Sequence, residues 1–204
     1  MKLITCIRSP IGQKKRRDMI RSTWGKDFVS QGCEVFFILA DSSGITKPIV
    51  KNDKIYTPGT DTHGDLTNRM IWLFRFLIQN KDFTHALIMD DDCSVNVELF
   101  MNSGWHEHDA WGNNNGGYLS GSAAVYSKDI IKKLNHAMCK DDLAIGSFLR
   151  SWKVPLCNSK GLVRPWPLKD ENGKDTSLLP EGCAIQHYVR TPEQIFNNHK
   201  KLNS

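Results

Sequence analysis

The chain has 204 residues, of which 40% are hydrophobic and 24% charged, and its formal net charge is +5. This composition is typical of a globular protein. No apolar run approaches the roughly 18 residues that would suggest a membrane span, and the first residues lack the apolar region of an export signal. We therefore expect one domain over residues 1–204, without a membrane span, in the cytoplasm unless the chain was excised from a longer precursor.

The cysteines and the basic residues narrow the possible functions. The six cysteines are far apart and include no CxxC pair, so a structural zinc site is disfavoured and free thiols are expected. Basic side chains are concentrated at residues 14–17, at Arg21 and in the tail. Such a cluster is either a solvated surface or a site for an anionic ligand, such as a phosphate, a nucleotide or a nucleic acid.

The first half of the chain alternates predicted strands with predicted helices. Residues 33–40 and 85–89 are almost entirely apolar, which is typical of strands that are covered on both faces of a parallel sheet. The spacing of apolar residues from Asp65 to Gln79 predicts a long, largely buried helix. The remaining predictions here are strands at residues 2–7 and 54–56 and a helix over 15–24 that Gly25 would end.

The second half is less regular. Ser127 is placed to cap a helix that runs to Met138, and a further helix is predicted over 142–152. The other predictions are a short helix at 97–101, an irregular stretch at 112–117, strands at 118–119 and 123–126, long loops over 155–182 and a last short helix within 184–201. The alternation implies an α/β domain with a mostly parallel central sheet flanked by helices, in which ligands bind at the carboxyl ends of the strands.

Three consecutive carboxylates, Asp90, Asp91 and Asp92, follow the apolar strand at 85–89. Like charges this close are unfavourable unless a cation lies nearby. One structural explanation is that Asp92 or Ser94 caps the next helix, but this accounts for a single side chain. Gathered carboxylates suit Mg²⁺ or Mn²⁺, which take oxygen ligands and share the phosphate oxygens of a substrate.

Two further groups of residues could serve such a site. Arg17 and Arg21 are four residues apart on one helix face and could offer two guanidinium groups to a phosphate, whereas Arg16 is expected to be solvated. Asp141 and Asp142 stand at a predicted helix start. They are either favourable partners of the helix dipole or the source of a general base at the mouth of a cleft.

Five segments, taken in order, resemble the motifs of the β1,3-glycosyltransferase family, which includes the β1,3-galactosyltransferases and the Fringe N-acetylglucosaminyltransferases. The similarity extends over roughly residues 3 to 150, and a weaker similarity is found at 185–188. Departures include Asp65 in place of Asn, Asp141 in place of Glu, and Ser122-Ala123 within a family Gly-rich stretch. The matching segments are RRDMIRSTWG (16–25), DTHGDLT (61–67), DDD (90–92), GYLSGSAAVYS (117–127) and DDLAIG (141–146).

The resemblance implies a Rossmann-like fold of the GT-A type and an inverting transfer from a nucleotide-diphosphate sugar. We expect this donor to be a UDP-sugar of galactose, N-acetylglucosamine or glucose. The donor-binding half would be about 1–95 and the acceptor-binding, catalytic half about 96–204. Asp92 would be the main ligand of Mn²⁺, with Mg²⁺ as an alternative, and His187 the second ligand. Asp142 would be the general base. The resemblance also assigns to the nucleotide or its ribose the residues Arg17, Arg21, Asp41, Asp90 and Asp91.

Several alternatives stay open on sequence alone. The acceptor could be a glycan, a protein, or a hydroxymethylated base in viral DNA. The same carboxylates could serve a metal-dependent phosphohydrolase, or the protein could bind nucleotide sugars without catalysis. A viral version would work in the host cytoplasm, whereas an excised catalytic domain could come from the Golgi lumen.

Overall fold

The computed structural model describes residues 2–137, 142–169, 172–173, 175–176 and 178–202. Its largest element is an eight-stranded sheet with the strand order β3-β4-β2-β1-β5-β8-β7-β9. The central strands β4, β2, β1 and β5 are parallel, and β8 joins β5 in antiparallel orientation. Its strands are β1 (Leu3–Arg8), β2 (Glu34–Asp41), β3 (Ile49–Lys51), β4 (Lys54–Pro58), β5 (His85–Asp90), β7 (Ala110–Asn114), β8 (Leu119–Ser127) and β9 (Cys157–Asn158).

A second, three-stranded sheet has the order β10-β13-β6, and β11 and β12 form a separate antiparallel pair. The strand β13 follows the long loops of the second half and pairs with β6, which comes directly after the three aspartates. The chain therefore returns, near its end, to the edge of the sheet where the aspartates lie. These short strands are β6 (Ser94–Val95), β10 (Val163–Arg164), β11 (Leu168–Lys169), β12 (Asp175–Thr176) and β13 (Ile185–Gln186).

Helices cover both faces of the large sheet. Along β1, Leu3 and Ile7 join a core formed with α1, α2, α4 and α7, whereas Ile4 and Cys6 join a core formed with α3, α5 and α6. This explains why the central strands are apolar at successive positions. The helices are α1 (Lys14–Ser22), α2 (Trp24–Ser30), α3 (Leu66–Asn80), α4 (Val97–Met101), α5 (Lys128–Ala137), α6 (Asp142–Ser151) and α7 (Pro192–Leu202).

No helix in the described part of the chain has both the length and the apolar character needed to cross a lipid bilayer. The five described cysteines, Cys6, Cys33, Cys93, Cys157 and Cys183, are all free thiols, and only Cys157 is not buried. The prediction of free thiols is thus confirmed for these five. Cys139 lies outside the described residues.

The predicted end of the first helix is wrong. The helix α1 ends at Ser22, α2 begins at Trp24, and Gly25 lies buried inside α2 instead of ending a helix. A Cβ atom at Gly25 would stand 2.6 Å from the carbonyl oxygen of Ile20, which is too close. Glycine is needed here because the two helices pack tightly at their junction, and not because the backbone reverses.

Two other predictions change near the middle of the chain. The stretch at 112–117 was expected to be irregular, but its first residues belong to β7, which pairs with β8 through a register irregularity between Gly112 and Asn114. The two short strands predicted at 118–119 and 123–126 form the single strand β8. This region near the edge of the sheet was not predicted, because glycine and asparagine have low strand propensity. Pairing with β8 stabilises the strand despite that low propensity.

Candidate functional site

The candidate site begins where β1 and β5 end side by side. The last residues of these two strands, Arg8 and Asp90, are neighbours in the parallel register. Nη2 of Arg8 lies 2.8 Å from Oδ1 of Asp90, and Arg8 also donates to the carbonyl of Gly121 in β8. Arg8 is therefore one of the cations that make three consecutive aspartates tolerable.

The middle carboxylate is turned into the protein. Oδ2 of Asp91 accepts a hydrogen bond of 2.7 Å from Oγ of Ser9, and its Oδ1 lies 2.7 Å from Nη1 of Arg16. The side chain of Asp91 is only 5% exposed and that of Arg16 only 13%. The expectation that Arg16 is solvated is therefore wrong, because the first turn of α1 brings this arginine over the buried carboxylate.

The third carboxylate meets a histidine from the end of the chain. Nε2 of His187 lies 2.9 Å from Oδ1 of Asp92 and 3.7 Å from Oδ2 of Asp90. Pairing of β13 with β6 carries His187 to this place, and the amide of Val189 donates to the carbonyl of Asp92 at 2.8 Å. Neither Asp92 nor Ser94 caps the next helix; Asn96 caps α4 instead.

The group formed by Asp90, Asp92 and His187 suits a divalent cation. One ligand atom from each lies within 4.8 Å of the others. Two ligands at right angles around an octahedral ion with metal–oxygen distances of about 2.1 Å are separated by about 3.0 Å, close to the 2.9 Å between His187 and Asp92. Nδ1 of His187 lies 2.9 Å from the carbonyl oxygen of Pro165. A carbonyl can only accept, so Nδ1 carries the proton and Nε2 can bind a metal.

The three residues of this ligand group differ in their electrostatics. Burial raises the pKa of Asp90, and the charge of Arg8 offsets this only in part. Burial opposes the ionisation of Asp92 too, but the hydrogen bond and the charge of His187 lower the pKa of Asp92 overall. For His187, burial acts against protonation, yet Asp92 raises its pKa overall. A proton and a cation therefore compete for the same Nε2 atom.

A cavity of about 240 Å³ lies over this group. Besides the acids and His187, it is lined by three arginines, Arg8, Arg16 and Arg69. Arg69 comes from α3, and its Nη1 lies 3.0 Å from Oδ1 of Asp61. Neither Arg8 nor Arg69 was predicted from the sequence to belong to the site. Arg8 could have been found as a charged residue at the carboxyl end of a predicted parallel strand, whereas Arg69 becomes visible only once α3 is placed.

Of the five residues that the resemblance assigned to the nucleotide or its ribose, Asp90 and Asp91 line this cavity, whereas Arg17, Arg21 and Asp41 lie outside its lining. Arg17 is buried, and its guanidinium donates to Oγ of Ser9 and to the carbonyl of Ile11, both at 2.8 Å. It therefore supports the loop behind the cavity. Arg21 is engaged by two acids, with its Nε 2.6 Å from Asp53. The carboxylate of Asp41 accepts from the amide of Ser43 at 2.8 Å at the end of β2.

The predicted general base, Asp142, is the first residue of α6, but its side chain lies outside the described part of the structure, as does all of Asp141. The helix itself is held close to β8. A Cβ atom at Gly146 would lie 2.8 Å from Cα of Tyr118 and 2.9 Å from the carbonyl oxygen of Gly117, to which Arg150 donates. The glycine of the predicted DDLAIG motif is thus required by close packing of α6 on the start of β8.

Comparisons with known proteins give a structural likeness only. No family model matches the chain, and no curated protein sequence matches it. Among solved structures, it is similar to a mannosyltransferase from Pyrobaculum calidifontis in complex with GDP-Man and Mn²⁺, with a TM-score of 0.52 and 8% sequence identity over 77% of this chain. The matched region spans 54% of that mannosyltransferase, about half its length. The chain therefore has an α/β fold of the GT-A type, with a Rossmann-like sheet flanked by helices.

Proposed function

We propose that the protein is a metal-dependent glycosyltransferase that moves a sugar from a nucleotide-diphosphate sugar to an acceptor hydroxyl. One observation carries this proposal. The ligand group Asp90, Asp92 and His187 lies at the carboxyl ends of parallel strands, inside a cavity that three arginines also line. A metal next to several guanidinium groups suits a diphosphate, which needs both a cation and bidentate hydrogen-bond donors.

Asp92 and His187 would be the principal ligands of Mn²⁺, or of Mg²⁺. Asp90 would be a further ligand through Oδ2, since its Oδ1 faces Arg8. A bound cation would act as a Lewis acid that neutralises the charge of the departing diphosphate. The neighbouring mannosyltransferase was solved with GDP-Man and Mn²⁺, which supports this class of donor and metal. A UDP-sugar of the galactose, N-acetylglucosamine or glucose class follows from the motif resemblance and is part of the proposal.

The arginines of the cavity would hold the diphosphate. Asp90 and Asp91 hold the guanidinium groups of Arg8 and Arg16, respectively. These hydrogen-bonding groups are therefore oriented before the nucleotide sugar binds. Arg69 is fixed in the same way by Asp61. Arg17 would act indirectly by shaping the loop of residues 9–11. Contacts of Arg21, Asp41 and Asp91 with the nucleoside remain proposals from the resemblance.

In the proposed inverting reaction, an acceptor hydroxyl attacks the anomeric carbon from the face opposite the diphosphate. The new carbon–oxygen bond forms as the bond to the diphosphate oxygen breaks. The acceptor's proton passes to Asp142, and the nucleoside diphosphate leaves with the bonding electron pair. The acceptor would be a glycan or a protein, held by the second half of the chain.

The test is a panel of UDP- and GDP-sugars, incubated with and without Mn²⁺ and with glycan, protein or hydroxymethylated DNA acceptors. We expect Mn²⁺-dependent release of a nucleoside diphosphate together with transfer of the sugar to a glycan or protein. Asp92→Asn should abolish both, whereas Asp129→Asn, which changes an exposed acid on α5, should change neither. Metal-dependent release without transfer to any acceptor would instead indicate a hydrolase, and donor binding that is independent of Asp92 would overturn the proposal.

A further inference from the structure

A second cavity, of about 350 Å³, lies next to the ligand group of Asp90, Asp92 and His187 and has no role in the reaction proposed above. Its wall includes Tyr188, which directly follows His187 in the chain, so the two cavities adjoin at this peptide. Its other side chains come from the segments after β10 and β13, from β12 and from α7. The lining includes Trp166, Asp175, Thr176, Tyr188, Arg190 and Gln194.

An exposed aromatic platform forms one wall of this cavity. Trp166 is 62% exposed, which is unusual for so large an apolar side chain. Its ring is stacked with that of Tyr188, with 6.2 Å between the centroids and 19° between the planes. Tyr188 in turn contacts the ring of His187 at 4.2 Å, and the guanidinium of Arg190 lies 4.4 Å from its centroid. The platform is therefore continuous with the metal-binding histidine.

The platform is held rigidly by buried side chains. The fully buried Gln186 donates through Nε2 to the carbonyl of Trp166 at 3.1 Å, and Nδ1 of His187 donates to the carbonyl of Pro165. Tyr188 has a φ of 66°, in the left-handed region that is unfavourable for a residue with a side chain. Such strain persists only where the surroundings impose it, and it is frequent at ligand sites.

We infer that this cavity is the subsite for the acceptor, and that it binds a neutral sugar ring stacked on Trp166; the assignment as acceptor rests on the proposed function. The C–H face of a pyranose carries weak positive charge and suits the negative face of an aromatic ring. Its hydroxyl groups need both donors and acceptors, which Asp175, Thr176 and Gln194 in the lining of the cavity offer.

The distribution of charge favours a sugar ring over a nucleobase or a nucleic acid. The three arginines that suit phosphates line the first cavity, next to the candidate metal ligands, where the nucleotide sugar would lie. The second cavity is lined by one cation, Arg190, and one carboxylate, Asp175, among its described residues. Oδ1 of Asp175 lies 2.5 Å from Nζ of Lys169, so the charges of this pair largely cancel and give little attraction for a phosphate chain, whereas the pair offers sugar hydroxyls both an acceptor and a donor.

The test uses the whole chain and measures binding by saturation-transfer NMR, which requires no turnover. The probes are methyl β-glycosides of galactose, glucose and N-acetylglucosamine, and, for comparison, uridine, thymidine and 5-hydroxymethyldeoxycytidine. We expect at least one glycoside to bind, with at least about tenfold weaker affinity in Trp166→Ala, because a stacked aromatic face is lost. Trp166→Phe should retain part of the affinity. Phe196→Ala removes an exposed ring of α7 that does not line the cavity and should bind the glycoside like the wild type.

The inference would be overturned if no glycoside bound, if Trp166→Ala bound the glycoside as well as the wild type did, or if only nucleosides bound on Trp166. Unfolding midpoints of all three variants verify that they fold. Failure here differs from failure of the proposed function, since the latter is measured by metal-dependent nucleotide release. Where transfer is detected, Trp166→Ala should raise the KM for the acceptor at least about tenfold while Phe196→Ala leaves it unchanged.

Discussion

His187 and Asp92 lie with Nε2 and Oδ1 2.9 Å apart, although Asp92 is near the middle of the chain and His187 comes far after it. The short strands β13 and β6 bring them together, since Gln186 pairs with Ser94 in antiparallel register. The candidate ligand group of Asp90, Asp92 and His187 thus depends on the pairing of β6, which follows the large-sheet strand β5, with β13 of the small sheet. A cation bound here would connect these two parts of the molecule.

The first prediction concerns this connection. Mn²⁺ at about 100 times its Kd should add about 2.7 kcal/mol to the free energy of unfolding, because it binds the native state only. For a chain of this size the unfolding midpoint should rise by roughly 5–10 °C. Differential scanning calorimetry with Mn²⁺ and then EDTA measures this shift. His187→Ala and Asp92→Asn should abolish it, whereas Asp129→Asn should retain it. An equal shift in all four proteins would refute the proposed ligands.

The second prediction concerns the buried pair of Arg16 and Asp91. Arg16→Ala leaves the carboxylate of Asp91 buried with Ser9 as its remaining hydrogen-bond donor among the described residues, and should lower the free energy of unfolding by about 2–4 kcal/mol. Adding Asp91→Asn should restore at least about 1 kcal/mol, because the unpaired charge is removed.

The control for this cycle is the exposed pair of Lys14 and Asp18 on the same helix. Lys14→Ala should change the free energy of unfolding by no more than about 0.5 kcal/mol, since exposed ion pairs contribute little. Urea unfolding measures the wild type and all three variants. Equal effects of Arg16→Ala and Lys14→Ala would contradict the burial of the first pair.

The third prediction concerns the close approach of α6 to β8. Gly146→Ala should lower the free energy of unfolding by about 1–3 kcal/mol, because its Cβ atom has no room beside Tyr118. It should also reduce turnover, since it displaces the helix that begins with Asp142. Gly12→Ala is the matched control, because no atom lies within 4 Å of the position its Cβ would take. Thermal unfolding that does not distinguish the two variants would show that α6 packs differently.

The fourth prediction concerns Asp142 itself. Asp142→Asn should lower kcat for sugar transfer by about 10²–10⁴-fold, the usual effect of losing a general base. Binding of the donor and of Mn²⁺ should stay within about twofold of the wild type, because the base acts on the acceptor. Asp129→Asn again serves as the control. Wild-type transfer by the Asp142 variant would assign the base to another residue.

The fold was largely predictable because its central elements carry strong local patterns. The buried strands β2 and β5 and the helix α3 were predicted within a residue or two, since apolar runs and helical spacing are imposed by burial on both faces of the sheet. The strand β7 was not, because its Gly112 and Asn114 have low strand propensity and are stabilised by pairing with β8. Likewise, Gly25 could not be distinguished from a helix end without knowing how α2 packs on α1.

The parts of the site that lie at strand ends were predictable from the sequence, whereas the parts that are brought together by tertiary contacts were not. The aspartates at the end of β5 could be assigned to a cation from the strand pattern alone. His187 was accessible only through the resemblance, since a single histidine late in the chain has no local signal. Arg16 and Arg17 are adjacent on α1, and the sequence does not show which of them faces the aspartates. The loop at residues 9–11 determines which arginine does so. Arg17 donates a hydrogen bond to this loop, and Arg16 pairs with Asp91.

The pairing of β13 with β6 also has a consequence for the order of events during synthesis. A growing chain emerges from the ribosome at about 5–20 residues per second, so Asp90 and Asp92 are exposed for several seconds before His187 follows. Asp90 already has a partner during this interval, because β1, which contains Arg8, is made before β5. Asp92 does not acquire His187 until β13 is complete. The nascent protein should therefore be unable to retain a metal ion at this group until His187 has been translated.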